Sequence, residues 1–150
     1  MTEAESNEIT TISVVYGKPG ERAETVEMEE KLEAMQAMVG GLIQEFFPFH
    51  SDTDPRYDDV ALICNDEGKL MQMKPSRAIF DEDGRVMDVI AGPFFICYAP
   101  IESETFLSLP DDLKEEVRKK FELPERYYRS DEGLMVLKYD PKDLDREQAR

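Results

Sequence analysis

The sequence predicts one α+β domain, a mainly antiparallel sheet built from hairpins with two helices packed on it. Three observations predict this class. Short β-branched and aromatic runs recur along the chain, two segments carry apolar residues at helical spacing, and one acidic turn pattern ending in glycine occurs three times. The length of 150 residues fits a single domain. We expect this domain at 11–140, with a flexible acidic tail at 1–10 and a loose charged tail at 141–150.

The first half of the chain predicts two strands around one helix. The helix is expected because its residues are helix formers and because Leu32, Met35 and Val39 fall on one face. Gly40-Gly41 follows where a left-handed residue is favoured at a helix end. The predicted elements are a strand at 11–16, a helix at 29–39 and a strand at 42–47, with 25–28 open between a strand and the first helical turn.

The second half predicts two interior strands and a second helix. Residues 60–64 and 94–98 are apolar at every position, which is typical of strands covered on both faces, so we expect them in the middle of the sheet. The helix is expected to begin with Ser108 as its cap, Pro110 in its first turn and a carboxylate after it. Its buried stripe recurs every four residues: Leu109, Leu113, Val117 and Phe121.

One turn pattern occurs at 65–68, 81–84 and 130–133. In each, Asn, Asp or Ser comes first, two acidic residues follow and glycine closes, as a type I turn with a left-handed glycine requires. The residues that define these structural turns are Asn65, Gly68, Asp81, Gly84, Ser130 and Gly133. The predicted hairpins pair 60–64 with 69–73, 77–80 with 85–90, and 126–129 with 134–139.

The net charge of −16 is concentrated at the front of the chain. Residues 1–60 carry 4 basic and 14 acidic side chains, whereas residues 101–150 carry 10 and 14. A field of this sign repels nucleic acid and anionic membrane, and it favours a basic protein partner. No apolar run reaches the length of a membrane span, and the acidic N-terminus lacks the order of a secretory signal, so we expect a cytoplasmic protein.

The chemistry of an enzyme is missing from the sequence. The only histidine is His50, so neither a zinc motif nor a nucleophile with a nearby base can be recognised, and no glycine-rich phosphate loop occurs. Cys64 and Cys97 lie in apolar segments and are expected to be buried free thiols. A bridge between them stays open if their strands are neighbours. We therefore expect a non-enzymatic protein without catalytic residues, metal or other cofactor.

Two regions are candidates for binding. The first is a basic patch that could hold a small ligand, an anion or a peptide, although the methionines beside it, Met71 and Met73, are more often ordinary core residues. Its residues are Lys69, Lys74, Arg77 and Arg85. The second is the acidic loop 52–59, which could bind a divalent cation weakly. Residues 81–88 loosely resemble a calcium loop but lack its alternating oxygen ligands and its closing glutamate.

The order of the motifs resembles a known family. Leu32-Glu33-Ala34-Met35-Gln36, Val39-Gly40-Gly41-Leu42-Ile43 and the run 60–70 come first, and Arg77-Ala78-Ile79, Asp88 to Ile96, 106–109 and 121–125 follow in order. This set, spread over roughly 14–139, is similar to the bacterial and phage family called domain of unknown function 3846. The resemblance implies no activity and suggests cargo of phages, plasmids and conjugative elements. The chain departs from it at Ser76, where the resemblance leads us to expect Asn, and in a longer loop at 51–59.

Taken together, these features predict a non-enzymatic interaction protein. One version is an acidic mimic of nucleic acid charge that occupies a basic host protein, without binding nucleic acid or membrane itself. The alternatives are small-ligand or peptide binding through the Lys69–Arg85 region and weak divalent-cation binding at 52–59.

Overall fold

The computed structural model describes residues 10–143, and its centre is a five-stranded antiparallel sheet of order β2-β1-β7-β4-β3. The elements are, in chain order, β1 (Thr11–Gly17), β2 (Glu24–Glu29), α1 (Leu32–Val39), β3 (Ile43–Phe46), a 3-10 turn (Pro55–Asp59), β4 (Val60–Asn65), β5 (Pro75–Phe80), β6 (Val86–Ala91), β7 (Phe94–Tyr98), α2 (Asp111–Lys120), β8 (Glu125–Ser130) and β9 (Gly133–Lys138). β5–β6 and β8–β9 are separate hairpins. The predicted α+β class is confirmed. The expected tails lie almost wholly outside the described residues.

The strands β4 and β7 lie side by side within the sheet, as predicted, and bury side chains on both faces. Leu62, Phe94 and Ile96 face one core, which α2 and the β5–β6 hairpin cover. Ile63 and Phe95 face a second core, which α1 covers. The two helices therefore pack on opposite faces of one sheet. Within residues 10–143 no helix has both the length and the apolar character needed to cross a membrane.

Helix α1 begins three residues later than predicted. Residues 24–29 form β2, which pairs along its whole length with β1, so the open segment 25–28 is strand. Leu32 is 51% exposed, so its predicted place in the buried stripe is wrong, whereas Met35 and Val39 are buried. Gly40 has φ 82° at the end of the helix, and the predicted left-handed end is confirmed.

Helix α2 buries the predicted stripe but begins differently. The four stripe residues are between 0% and 4% exposed: Leu109, Leu113, Val117 and Phe121. The prediction of Ser108 as the cap is wrong, because Pro110 holds that position and no side chain caps the helix. The Ser108 hydroxyl instead accepts a hydrogen bond from the Ser13 N–H at 2.8 Å, which joins this segment to β1.

Two of the three predicted hairpins are confirmed. Gly84 and Gly133 have φ of 80° and 116°, and each follows a turn that joins paired strands. The hairpin of 60–64 with 69–73 is wrong. Residues 66–72 form consecutive turns, with the Met71 N–H donating to the Glu67 carbonyl at 2.9 Å, and β4 pairs with β3 and β7 instead. Gly68 is outside the left-handed region.

The two cysteines are buried and unpaired. Their strands are neighbours, but Cys64 faces the core beneath α2 while Cys97 faces the core beneath α1. Side chains on opposite faces of a sheet cannot reach each other, so the open possibility of a bridge between them is excluded. Burial raises the pKa of the Cys64 thiol to about 11.

The guanidinium of Arg77 lies entirely inside the protein, at 0% exposure. It donates to four backbone carbonyl oxygens: Phe121 (2.9 Å), Ser76 (2.8 Å), Glu21 (2.7 Å) and Lys18 (3.3 Å). Its charged centre also lies 5.9 Å from the centroid of the Phe94 ring. Burial lowers the pKa of Arg77, but arginine keeps its proton in proteins. One side chain thus joins β5 to the β1–β2 connection and to the end of α2.

We predict that Arg77→Leu lowers the free energy of unfolding by about 3 kcal/mol, because several buried carbonyl oxygens lose their donors. Arg77→Lys should also destabilise, since an ammonium group cannot reach the same fork of acceptors. Urea denaturation measures both. Arg85→Leu, at an exposed position, is the control and should change stability by less than about 0.5 kcal/mol. Equal effects at the two arginines would contradict the role of Arg77.

Candidate interaction site

A hollow of about 580 Å³ lies beside the end of β3 and the loop that follows β7, and we call it the acidic hollow. It combines carboxylates with an apolar wall. Its acidic lining residues are Glu45, Asp58, Asp59 and Glu104, and its main apolar ones are Phe47, Ile101 and Phe106. Ile101 is 96% exposed and Phe47 is 47% exposed, so the wall faces solvent. None of the described residues that line the hollow is basic.

Most of the wall belongs to the loop 99–106, which is held closed at its base. Tyr98 and Leu107 exchange two backbone hydrogen bonds, at 3.0 Å and 2.8 Å, and so fix where the loop leaves and rejoins the body. The Ala99 N–H donates to the Asp59 carbonyl oxygen at 2.8 Å, which ties the loop to the 3-10 turn. Inside the loop, the Ser103 hydroxyl donates to the Thr105 carbonyl oxygen at 2.7 Å. These bonds hold the backbone of the loop that carries the exposed Ile101 side chain.

The field at this hollow is negative. Glu45, Asp59 and Glu104 form no ion pair with a described residue, and only Asp58 has a partner, His50. One of these charges also affects the pKa of Tyr98, at the base of the loop. Burial is the main cause that raises the pKa of Tyr98, and Asp59 adds to it. The hollow therefore suits a positively charged group and disfavours an anion.

Three of the four carboxylates in the acidic loop 52–59 are paired with neighbouring basic side chains, and Asp59 is the exception among the described residues. Arg56 donates to Asp54 at 2.7 Å and to both oxygens of Asp112 at 3.1 and 2.7 Å, so it links the loop to α2. These pairs lower the pKa of both carboxyls. His50 lies between Asp58 and Asp52, whose hydrogen bonds raise its pKa. Across 10–143, no three Asp, Glu, His or Cys side chains come together as metal ligands would.

A second concave region, which we call the loop cleft, measures about 440 Å³ and lies between residues 64–70 and β6. Asn65 holds the loop of this cleft in place. Its side-chain amide donates to the Val39 carbonyl at 3.2 Å and accepts from the Glu67 N–H at 2.7 Å. Lys69 forms an ion pair with Asp88 across the cleft. Asp66 and Glu67 add two further exposed carboxylates, so negative charge prevails here too.

Close contacts with neighbouring atoms help to explain why glycines occur around the loop cleft. A Cβ on Gly68 would lie 2.6 Å from the Ala91 carbonyl oxygen, and one on Gly41 would lie 2.8 Å from the Asn65 amide nitrogen. A Cβ on Gly92, which has φ 88°, would lie 2.6 Å from the sulfur of Met73. Three of the motifs that carry the family resemblance therefore lie close together, and packing, with the positive φ at Gly92, gives a physical reason for their glycines.

The four predicted basic residues do not converge. Lys69 lines the loop cleft, and Lys74 and Arg85 are exposed at other positions on the surface. Arg77 cannot contribute to a binding surface, because it is fully buried and its donors are directed at backbone carbonyls. The prediction that Arg77 belongs to the basic patch was therefore wrong. Arginine is usually exposed, and the sequence gave no sign of the backbone carbonyls that Arg77 contacts inside the protein.

The predicted turn residues serve different roles. Asp81 accepts from the backbone N–H groups of Asp83 and Arg85 at 2.9 Å each, and the Ser130 hydroxyl donates to the Gly133 carbonyl at 2.9 Å. Both sets close hairpins, as expected, whereas Asn65 and Gly68 shape the loop cleft.

Sequence reasoning missed most of the acidic hollow. Asp58 and Asp59 were singled out with the acidic loop, but Glu45, Ile101 and Glu104 were not. The available signal was Ile101 between a proline and an acidic stretch, because an exposed apolar residue in a polar loop often marks a contact surface. The sequence separation between residues 45 and 104 hid their proximity.

The fold is that of a small α+β domain with helices on both faces of an antiparallel sheet. The chain matches the family described as Domain of unknown function (DUF3846) over residues 12–122, and it belongs to that family. The match ends before β8 and β9, although the motif resemblance extended to about residue 139. Comparison with curated proteins and with solved structures gives no match.

We predict opposite results for one substitution at two glycines. Gly68→Asn should destabilise the fold by about 2 kcal/mol, because any Cβ would overlap the Ala91 carbonyl. Gly84→Asn should cost less than about 1 kcal/mol, because nothing lies within 4 Å of the added Cβ and Asn tolerates a left-handed backbone. Urea melts measure both, and equal losses would refute the close-contact explanation.

Proposed function

We propose that this protein is a non-enzymatic interaction protein that binds a basic partner protein, with the acidic hollow as the docking point. The supporting observation is the pairing of unneutralised carboxylates with an exposed apolar wall in one concave region. Carboxylates attract a basic segment and orient it, while burial of apolar surface supplies affinity.

The net charge of −16 extends this attraction beyond the hollow. Long-range attraction between an acidic surface and a basic partner raises the association rate, and salt screens it. One version of the proposal is that the protein mimics nucleic acid charge and occupies the nucleic-acid site of a basic host protein. We expect that host protein in the cytoplasm of a bacterium that carries phages or conjugative elements, the context that the family resemblance suggests.

The experiment uses a fluorescent lysine-rich peptide with one central leucine, and it measures binding by anisotropy over a range of salt concentrations. The hollow variant combines Glu45→Gln, Asp59→Asn and Glu104→Gln. We expect it to bind about tenfold more weakly than the natural protein at low salt, a change of about 1.4 kcal/mol. All affinities should fall as salt rises.

The matched control removes the same charge from three other exposed carboxylates, through Glu33→Gln, Glu82→Gln and Asp83→Asn. It should retain most of the affinity.

Ile101→Ser should weaken binding of the peptide with the central leucine, but not of the same peptide with alanine in place of leucine. It should not alter the salt dependence. Equal weakening by the hollow variant and the control would contradict docking at the hollow. If a partner captured from a host lysate is not displaced by duplex DNA, the mimicry version fails.

The loop cleft supports a second candidate function, the binding of a small ligand. Its location between a shaped loop and β6, with an ion pair across it, favours a small polar molecule. Its excess of carboxylates over Lys69 favours a cationic or neutral ligand over the anion that the basic residues suggested. Divalent-cation binding at 52–59 is a third possibility, which the internal pairing of Asp54 with Arg56 disfavours.

Spermidine is the probe for the loop cleft, and titration calorimetry measures its binding. Asp88→Asn should weaken it about fivefold, because the cleft loses one carboxylate, which corresponds to roughly 1 kcal/mol. Asp83→Asn, in the exposed 81–84 turn, should leave it unchanged. The cleft proposal fails if neither variant or both variants alter the affinity.

A further inference from the structure

The hairpin β8–β9 ends in an open strand edge. Within the described residues, β8 is the only strand that pairs with β9, and β8 lies between β9 and the body. The carboxylate of Glu125 in β8 accepts from the Ala78 N–H of β5 at 2.8 Å, which attaches that side of the hairpin. A two-stranded hairpin is marginally stable by itself, and an apolar open edge favours pairing with another strand.

The backbone groups at the open edge can be identified. The Tyr139 N–H donates to the Pro124 carbonyl oxygen at 3.0 Å, and bonded and non-bonded residue pairs alternate along an antiparallel ladder. The backbone N–H and C=O groups of Met135 and Leu137 are therefore hydrogen-bonded to β8. The groups directed to the open edge belong to the alternate residues Leu134, Val136 and Lys138.

The side chains around this edge are unusually apolar for a surface. Leu134, Met135 and Leu137 are between 41% and 49% exposed, and Tyr128 on the neighbouring strand is 45% exposed. Tyr128 is the cross-strand partner of Met135, so the two lie together on one face of the hairpin. The open edge thus offers both unpaired backbone groups and apolar side chains.

The charges at the two ends of β9 are opposite. Asp131 and Glu132 precede the strand, and Lys138 ends it. Lys138 makes one long contact, 3.5 Å to the Lys120 carbonyl oxygen, and no ion pair with a described residue. An antiparallel arrangement of two identical strands places the acidic end of each beside the basic end of the other.

We propose that β9 pairs with β9 of a second copy of this chain and extends the hairpin into a four-stranded antiparallel sheet. In this pairing the outward N–H and C=O groups of Leu134, Val136 and Lys138 must face the same set in the other copy. Two symmetric registers satisfy this condition and pair most of the strand. One is centred on Met135 and the other on Val136. The first places Glu132 opposite Lys138 of the other copy. The second places Lys138 opposite Leu134, without an acidic partner, and Glu132 opposite Asp140, a carboxylate that already pairs with Arg22. The two-fold axis therefore passes through Met135.

This contact is small, because six residues of one edge strand bury less than a standard stable interface. We expect a weak, reversible dimer whose population grows with concentration. The proposal does not depend on the acidic hollow, since the hairpin and the hollow share no lining residue.

Cysteine cross-linking tests both the contact and the register. Met135→Cys places two thiols at a non-bonded antiparallel pair with Cα atoms about 4.5 Å apart, within disulfide range. Under mild oxidation of the full chain, we expect cross-linked dimer to form at least about tenfold faster than for Met87→Cys, a control cysteine at an exposed position on β6. The natural cysteines are buried and should contribute little.

Val136→Cys distinguishes the registers, and faster cross-linking there than at Met135 would overturn the proposed axis. Rates for Met135→Cys no greater than for Met87→Cys would overturn the contact itself. Sedimentation velocity of charge variants gives an independent test. Glu132→Lys alone and Lys138→Glu alone should weaken the dimer, and the double variant should restore it. A natural protein that stays monomeric at all concentrations would also refute the proposal.

Discussion

The buried guanidinium of Arg77 is the constraint on which the arrangement of the other elements depends. A buried cation is costly unless its donors are satisfied, and here each acceptor is a backbone carbonyl from a connection or a strand of the fold. The same side chain therefore fixes the β1–β2 connection, the end of α2 and β5. The Phe94 ring, whose centroid lies 5.9 Å from the guanidinium carbon, also packs on β1, where a Cβ on Gly17 would lie 2.5 Å from the ring.

From this centre, two hairpins extend the sheet domain in different ways. β5–β6 covers one core and forms a wall of the loop cleft. β8–β9 is joined to the body by the Glu125 contact with β5, among others, and much of its surface stays exposed. Neither hairpin contributes to the acidic hollow. Recognition of a basic partner and pairing of two copies would therefore use separate surfaces, and neither would require a change in the cores.

Local patterns predicted the parts of the fold whose causes are local. The unbroken apolar runs at 60–64 and 94–98 predicted burial on both faces because successive strand side chains point to opposite sides. The stripe in α2 predicted one buried face because residues four apart lie on the same side of a helix. At 65–68, the identical turn pattern failed because β4 found its partners in β3 and β7, and the following residues packed Gly68 against Ala91 instead. Tertiary pairing overrode the local preference.

By itself, the sequence determined the class of fold, two hairpin turns, the buried faces of the interior strands and the sign of the surface charge. These follow from side-chain periodicity, backbone preferences and composition, which do not depend on distant residues. Only the tertiary structure decided that Arg77 is internal, that the two cysteines face different cores, and that Glu45, Asp59 and Glu104 line the same hollow as Ile101. Each of these depends on which distant segments meet, and the order of strands in the sheet sets that.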